Sequence, residues 1–380
     1  MKRVAIIGGG ASGITAGIFA SRKGDTSVTI YESGTRPLKK LLATGNGRCN
    51  FSNANLSPAK YNNPEFVEQA LTSFSYKDSL NFFQNLGLMY TKDDEGRLYP
   101  YSLKATTISD ILLGESTRLK IKIRLGEEVT GIYKNENRFE VATSRGDIQV
   151  YDSLIISSGS SASYKNCEIG FLNTLEIPIT KLTPALAPLI THNNAVKGLK
   201  GIRVKAQVTA SLEGDSIHTE YGEVLFRDNG LSGIVIFNTS LMLARKQIHK
   251  CEIALDLLPN LSSEQIIDRY NNLGLPIKEY LRGIFDSSLA NHILKVATTR
   301  NIEDIAHSIK NLIFKVIGIM GIENAQIICG GIPTELINPR TLELSNNLYV
   351  CGEIIDIDGE CGGYNLGWAW ISGAICGINC

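Results

Sequence analysis

The opening segment constrains the fold more than any other part of the chain. Residues 4–7, VAII, form a short apolar run of the kind that makes a parallel strand buried on both faces, and GGGASG follows at once. A small-residue helix then runs toward Gly24, and VTIY predicts a second strand that ends at Glu32. Gly8, Gly10 and Gly13 complete GxGxxG. Gly8 allows a tight turn, Gly10 lets the backbone approach a pyrophosphate, Gly13 lets helix and strand pack closely, and Glu32 accepts hydrogen bonds from ribose hydroxyls. The free N–H groups and dipole at the helix start favour the anion. This order of elements predicts a dinucleotide-binding βαβ unit. It does not separate NAD from FAD, because both carry the ADP half.

Later segments separate them. A nicotinamide enzyme completes its sheet with a second mononucleotide unit, whereas FAD folds of the glutathione-reductase type insert a small antiparallel meander and return to the cofactor near the C-terminus. Here the predicted helix KATTISDILLGESTRLK is followed by IKIRL, then by alternating runs around EVTGIYK, RFEVATS and DIQVY, split by polar turns. SLIISSGS predicts another buried strand, closed by Gly159. The return segment NNLYVCGEIIDIDGECGGYNLGWAWISGAICG reads as a strand over 348–351, a turn at Gly352 and Glu353, an acidic glycine-rich loop, and a helix from near Asn365. In flavoproteins such a strand end holds the ribitol hydroxyls, here through Glu353. The helix N-terminus then faces the flavin N1 and C2 carbonyl, where its dipole stabilises the anionic reduced flavin.

The span LLATGNGRCNFSN packs Gly45, Asn46, Gly47, Arg48, Cys49, Asn50 and Asn53 into one loop. With GRLYPYSLKA, LTPALAPL, GEVLFRDNGLSG, GGIPTELINPRTLE and GEIIDIDGECGGYNLGWAW, it resembles the bacterial flavoproteins that include BaiN-type 3-dehydro-bile-acid reductases and aminoacetone oxidase. The resemblance implies an α/β fold: a discontinuous FAD-binding Rossmann domain of the glutathione-reductase type, with an inserted β-barrel and a small helical domain. The expected segments are 1–180 and 331–380 for the FAD-binding domain, 181–260 with return strands in 312–330 for the barrel, and 261–311 for the helices. Alternating runs such as RVKAQVTASL and IVIFNTS support the barrel, and the cap-and-acid start SSEQIIDRY supports the helices.

On this reading GNGRCN lies beside the pyrophosphate, ribitol and isoalloxazine. Backbone amides, Asn46 and Asn50 satisfy polar atoms, and Arg48 offsets negative charge. The resemblance also implies FAD contacts from Ala11 and Ser12 at the first helix, Ser33 after Glu32, Lys40 and Thr44 before the loop, and Val129, Ser158 and Gly159 from the sheet side. Gly352, Asp358, Gly363, Tyr364, Asn365 and Leu366 complete the set from the return segment. The chain departs from the family at SSGSSASYKNCEIGF, where Ser160 follows Gly159 in place of a double glycine and the link is shorter.

Bulk properties narrow the partners. With 38 basic and 38 acidic residues the formal charge is zero, so nothing draws a polyanion or an anionic membrane from a distance. A small-molecule substrate is expected instead. The apolar run after MKR ends in glycines, which argues against a signal peptide, and no apolar run reaches membrane-spanning length, so a cytoplasmic protein is expected. Eight dispersed cysteines, with no CxxC, fit reduced and mostly buried thiols.

The flavin supplies the redox chemistry, so neither a metal nor a nucleophile is required. His192, His218, His249, His292 and His307 form no ligand spacing. Tyr364, and after it Tyr99 and Tyr101, are proton-donor candidates, although buried tyrosines commonly just bond a backbone carbonyl. Cys49 reads as a small buried filler, Asp356 and Asp358 as capping and loop-bonding residues, and at least one of Trp368 and Trp370 as core.

Three functions compete. The leading one is FAD-dependent reduction of an activated C=C bond with electrons from NADH or NADPH. No second GxGxxG is present, so that donor would visit the flavin transiently. The rivals are an amine oxidase that produces hydrogen peroxide and a flavin redox sensor without turnover. A tRNA-modifying flavoprotein is conceivable by fold, but the balanced charge lacks the basic surface that work needs.

Overall fold

The computed structural model describes residues 1–162, 169–192 and 194–380, so Cys167 and the middle of the divergent segment lie outside the described residues. Two compact units result: Met1–Thr183 with Ile327–Cys380, and Pro184–Gln326.

The first unit is built on β1 (Lys2–Ile7), α1 (Ala11–Ser21) and β2 (Thr26–Glu32). Its six-stranded sheet runs in the order Glu343–Ser345, Leu348–Val350, Ser153–Ile156, β1, β2, Lys122–Leu125. All neighbours are parallel except the outermost pair, Glu343–Ser345 with Leu348–Val350. Register places Ile6 between Ile155 and Ile30, all three fully buried, which is why these strands read as unbroken apolar runs. The alternating runs form the antiparallel meander Val129–Asn135, Arg138–Thr143, Ile148–Tyr151.

Glycines set how closely the helices approach. A Cβ on Gly13 would lie 2.0 Å from the Gly8 carbonyl oxygen. The C-terminal helix, Tyr364–Asn379, crosses α1 at small residues: a Cβ on Gly373 would lie 2.4 Å from the Ser12 carbonyl oxygen, and one on Gly377 2.4 Å from that of Ala16. Both tryptophans of this helix are core residues. Trp370 Nε1 donates to the Phe51 carbonyl at 2.8 Å and Trp368 Nε1 to that of Gly352 at 3.3 Å.

The second unit contains a closed barrel in the order Leu189–Thr191, Gly230–Ser232, Asp215–Phe226, Arg203–Leu212, Cys251–Asp256, Leu312–Ile319. Four helices, Ser263–Leu273, Ile277–Arg282, Ser287–Val296 and Ile302–Lys310, share its hydrophobic core. The first of them starts in a capping box between Ser262 and Gln265.

Two expectations change. IVIFNTS is not a strand but the start of the helix Ile234–Arg245. It follows Gly233, held at φ 111, and is buried on most of its circumference, so β-branched composition mimics a strand while the apolar pattern continues through LMLAR. Of 312–330, only Leu312–Ile319 joins the barrel. It pairs with both Cys251–Asp256 and Leu189–Thr191, which closes the ring and leaves no edge for a further strand.

Candidate functional site

The site begins at the turn between β1 and α1. Gly8 has φ 108, and a Cβ there would lie 2.4 Å from the Ser157 carbonyl oxygen. Gly10 precedes α1 with no side-chain cap, and nothing lies within 4 Å of where its Cβ would be. The helix start is thus open to an anion, with Ala11, Ser12 and Gly13 supplying the N–H groups that α1 cannot pair internally. The Glu32 carboxylate is aimed by two backbone donors, Gly9 N to Oε2 at 2.9 Å and Gly34 N to Oε1 at 2.7 Å. Each oxygen keeps a lone pair for a ribose hydroxyl.

Beside it a small cavity of about 80 Å³ brings together Gly8, Glu32, Ser33, Val129 and Ser158. Sequence reasoning missed its other walls, among them Tyr31, Glu127, Glu128 and Phe171. Glu127 is 3% exposed, and its carboxylate accepts from Arg124 Nε at 3.1 Å and pairs with Arg145 Nη1 at 3.1 Å. The acidic pair in GEEVT was the one available signal. The Tyr31 and Tyr151 hydroxyls share a 2.7 Å hydrogen bond, and burial, then that bond, raises the Tyr31 pKa.

The glycine-rich loop folds on itself, with Cys49 N donating to the Thr44 carbonyl at 3.0 Å and Arg48 N to that of Gly45 at 3.2 Å. Gly45, Asn46, Gly47 and Cys49 all take positive φ, which turns the chain sharply. Strand Ser52–Asn53 then pairs with Arg97–Pro100, joining the GNGRCNFSN and GRLYPYSLKA blocks. Asn53 Nδ2 donates to the Gly362 carbonyl at 2.9 Å. A Cβ on Gly363 would lie 2.5 Å from the Ser52 carbonyl oxygen and 2.7 Å from Asn50 Oδ1, so the loop presses on the N-terminus of the C-terminal helix.

On the other side of that turn, a Cβ on Gly352, at φ 78, would lie 2.3 Å from Ser12 Oγ. Glu353 Oε2 pairs with Lys40 Nζ at 2.6 Å. Its Oε1 accepts from Ser160 Oγ at 2.7 Å and from Ile328 N at 3.1 Å. Ser160, which follows Gly159, therefore bonds to the expected ribitol residue.

Other candidates serve the loop itself. The Asn365 amide brackets Gly359, bonding its N–H and its carbonyl at 2.8 Å each. Asp358 is buried, with its backbone N–H donating to Asn62 Oδ1 and its carbonyl accepting from Asn62 N, both at 3.0 Å. Asp356 accepts from Thr180 Oγ1 at 2.8 Å. Neither aspartate caps the helix, contrary to expectation. The left-handed Gly363 occupies the cap, and it makes no side-chain cap bond.

Tyr364 is buried under Lys60, with its carbonyl accepting from Tyr61 at 2.8 Å, and burial raises its hydroxyl pKa. Leu366 is half-buried on the same turn. Thr44 Oγ1 donates to the Leu41 carbonyl at 2.6 Å, Arg48 is exposed, and Gly159 has φ 71. The Cys49 thiol is enclosed in the core, where burial pushes its pKa up to about 12. Tyr99 lies against Gly45, whereas Tyr101 is exposed. Among the described residues no cluster of histidine, cysteine or carboxylate side chains could hold a metal, and no helix is long and apolar enough to cross a membrane.

These residues fit FAD: an open helix N-terminus at Gly10, an aimed carboxylate at Glu32, a cavity beside it, and an enclosed amide oxygen without a donor at Asn50. Fold and site together define an FAD-dependent oxidoreductase on a Rossmann scaffold. The chain belongs to the HI0933-like Rossmann-domain family, whose profile matches residues 2–379. It is 33% identical over 406 residues to the 3-dehydro-bile acid delta(4,6)-reductase of Clostridium scindens, covering 99% of this chain and 98% of that protein. Identity to the ribosomal RNA dihydrouridine synthase of Haemophilus influenzae is 28%, over 98% of this chain and 97% of the relative. The open conformation of a flavocytochrome c3 fumarate reductase shares the fold, with TM-score 0.50 and 15% identity, over 100% of this chain and 78% of that one.

Proposed function

We propose that this protein reduces a C=C bond conjugated to a carbonyl in a small organic substrate, with electrons from NADH or NADPH. The observation that carries the reading is the meeting of the GNGRCN loop with the uncapped N-terminus at Gly363, which supplies donors and one free acceptor at a single point. The relatives agree in reaction type, since a delta(4,6)-reductase and a dihydrouridine synthase are both named for reducing a ring C=C bond.

Bound FAD would supply hydride transfer. The protein's part is to hold and orient. Glu32 takes the ribose hydroxyls, the start of α1 takes the pyrophosphate, and Glu353 with Lys40 fixes the ribitol side. Tyr364 is assigned the proton. Like any tyrosine its hydroxyl carries its proton at neutral pH, so it can give one and not take one. Zero formal charge favours a small molecule over RNA, whose binding draws on many basic contacts.

The test is anaerobic mixing with NADH or NADPH, followed by an unsaturated ketone or by oxygen. Bleaching of the flavin by a nicotinamide and recovery with the ketone supports the reading. Bleaching only by amines, with hydrogen peroxide formed in air, establishes the oxidase alternative. No bleaching by any donor leaves the sensor. Tyr364→Phe should retain FAD while losing about 10²-fold in kcat; unchanged turnover would remove Tyr364 from the proton role.

A further inference from the structure

We propose that one end of the barrel in the second unit is a binding site for a small molecule with an apolar body and an anionic group. A cavity of about 540 Å³ opens there, against about 80 Å³ for the one beside Glu32. Four segments of the Pro184–Gln326 unit form it: the turn that joins Arg203–Leu212 to Asp215–Phe226, the first residues of Cys251–Asp256, the later half of Leu312–Ile319, and His192 just past Leu189–Thr191. A barrel of about eight strands is just filled by its own side chains, so this one of six, with Val208, Leu255 and Phe314 buried, has no room inside. The mouth of a barrel is a recurrent place for ligands, and their pockets run from about 300 to 1,000 Å³.

The lining is mostly apolar. Cys251 and Val316 are cross-strand partners at the floor, and both are buried. Burial pushes the Cys251 thiol up to about 11, so the floor is uncharged at neutral pH. Leu212 and Ile317 line the same cavity while 39% and 42% exposed. Single exposed apolar side chains are ordinary, but two that share one concavity with an apolar floor leave surface that an apolar occupant covers.

Charge at the rim selects the other end of the ligand. Lys250 and Lys315 are both exposed, and among the described residues no carboxylate pairs with Lys250. Lys315 meets Glu252 only at 3.9 Å, with both side chains more than half exposed, so an incoming anion can replace that contact at little cost. Lysine stems lie along apolar surface while their ammonium groups stay in water, which suits a ligand whose charged end points outward. His192, whose backbone N–H bonds the Lys315 carbonyl at 2.8 Å, is a third basic side chain. Against these stand Glu213 at the hairpin tip and Glu252, which already faces Lys315.

The test titrates the holoenzyme with anilinonaphthalene sulfonate and with its uncharged relative phenylnaphthylamine, reading dye fluorescence, for wild type, Lys250→Glu and Ile317→Asp. The sulfonate should bind wild type saturably, and decanoate should displace it where decylammonium does not. Ile317→Asp should weaken both dyes by about tenfold. Lys250→Glu should weaken the sulfonate by about fivefold and leave the uncharged dye unchanged. Sulfonate binding that neither substitution alters places the dye elsewhere and overturns the proposal, as does the absence of saturable binding. Displacement by decylammonium as readily as by decanoate also overturns it, because the rim would then select no anion. Should Ile317→Asp not fold, Lys250→Glu, at an exposed side chain, decides by the same contrast between the two dyes.

Discussion

Lys40 and Glu353 lie 313 residues apart in the chain, yet their charged groups meet at 2.6 Å. The pair ties the segment that enters the glycine-rich loop to the strand end that returns from the far end of the sequence. It holds the carboxylate that Ser160 and Ile328 also bond.

Because the two side chains are 34% and 21% exposed, the pair contributes little to global stability, and its effect should appear in cofactor retention. Lys40→Met and Glu353→Gln should each weaken FAD binding by about tenfold. The double variant should lose less than the product, with a coupling of about 1 kcal/mol. Strict additivity in the titrations would show that the two residues act separately.

Glu32→Ala removes the ribose acceptor together with the partner of Gly9 N and Gly34 N. FAD affinity should fall about 10- to 100-fold. A purified variant that holds stoichiometric FAD as tightly as wild type would contradict the ribose assignment.

Gly373 marks the crossing of α1 and the C-terminal helix, where an added methyl would lie 2.4 Å from the Ser12 carbonyl oxygen. Gly373→Ala should cost about 1–3 kcal/mol, because backbone faces backbone and neither side can yield. Thermal melts of the apoprotein measure this directly, and an unchanged Tm would mean that the helices cross further apart.

Glu115 fastens the end of α1 by accepting from Arg22 Nη2 at 2.8 Å and Arg118 Nε at 2.6 Å. The Arg118 hydrogen bond lowers its pKa most, burial opposes, and Arg22 lowers it further, from an ordinary 4.5 to about 2. A carboxylate held lower in the folded state stabilises the protein above its unfolded pKa, and that contribution is lost as pH falls. The stability gap between wild type and Glu115→Gln should therefore be full at pH values above 4.5 and close as pH falls toward about 2. A gap that stays constant over that range would refute the linkage.

Much of this was legible in the sequence because its signals are local. GxGxxG, the apolar strand runs and the terminal Glu32 each depend on neighbours a few residues away, whereas Ser33, Val129 and Ser158, which line one cavity with Gly8 and Glu32, came only from the family resemblance. What stayed hidden depends on distant partners. Nothing in DIDGECGG says that Asn365 turns back onto Gly359, or that Asp356 meets Thr180. Ser160 looked like a mere departure from a glycine pair until the fold brought it within 2.7 Å of Glu353. IVIFNTS misled for a different reason: a helix buried nearly all round loses the polar face that would mark its period.

The central claim is that the flavin passes its electrons to a conjugated C=C bond, and the most direct measurement is a single turnover without oxygen. The holoenzyme is photoreduced, mixed with an unsaturated ketone, and followed in the visible flavin band. The account predicts that the oxidised spectrum returns before air is admitted, with one equivalent of product saturated at one C=C bond. A flavin that stays bleached across a panel of such acceptors and reoxidises only when oxygen enters, releasing hydrogen peroxide, would contradict it.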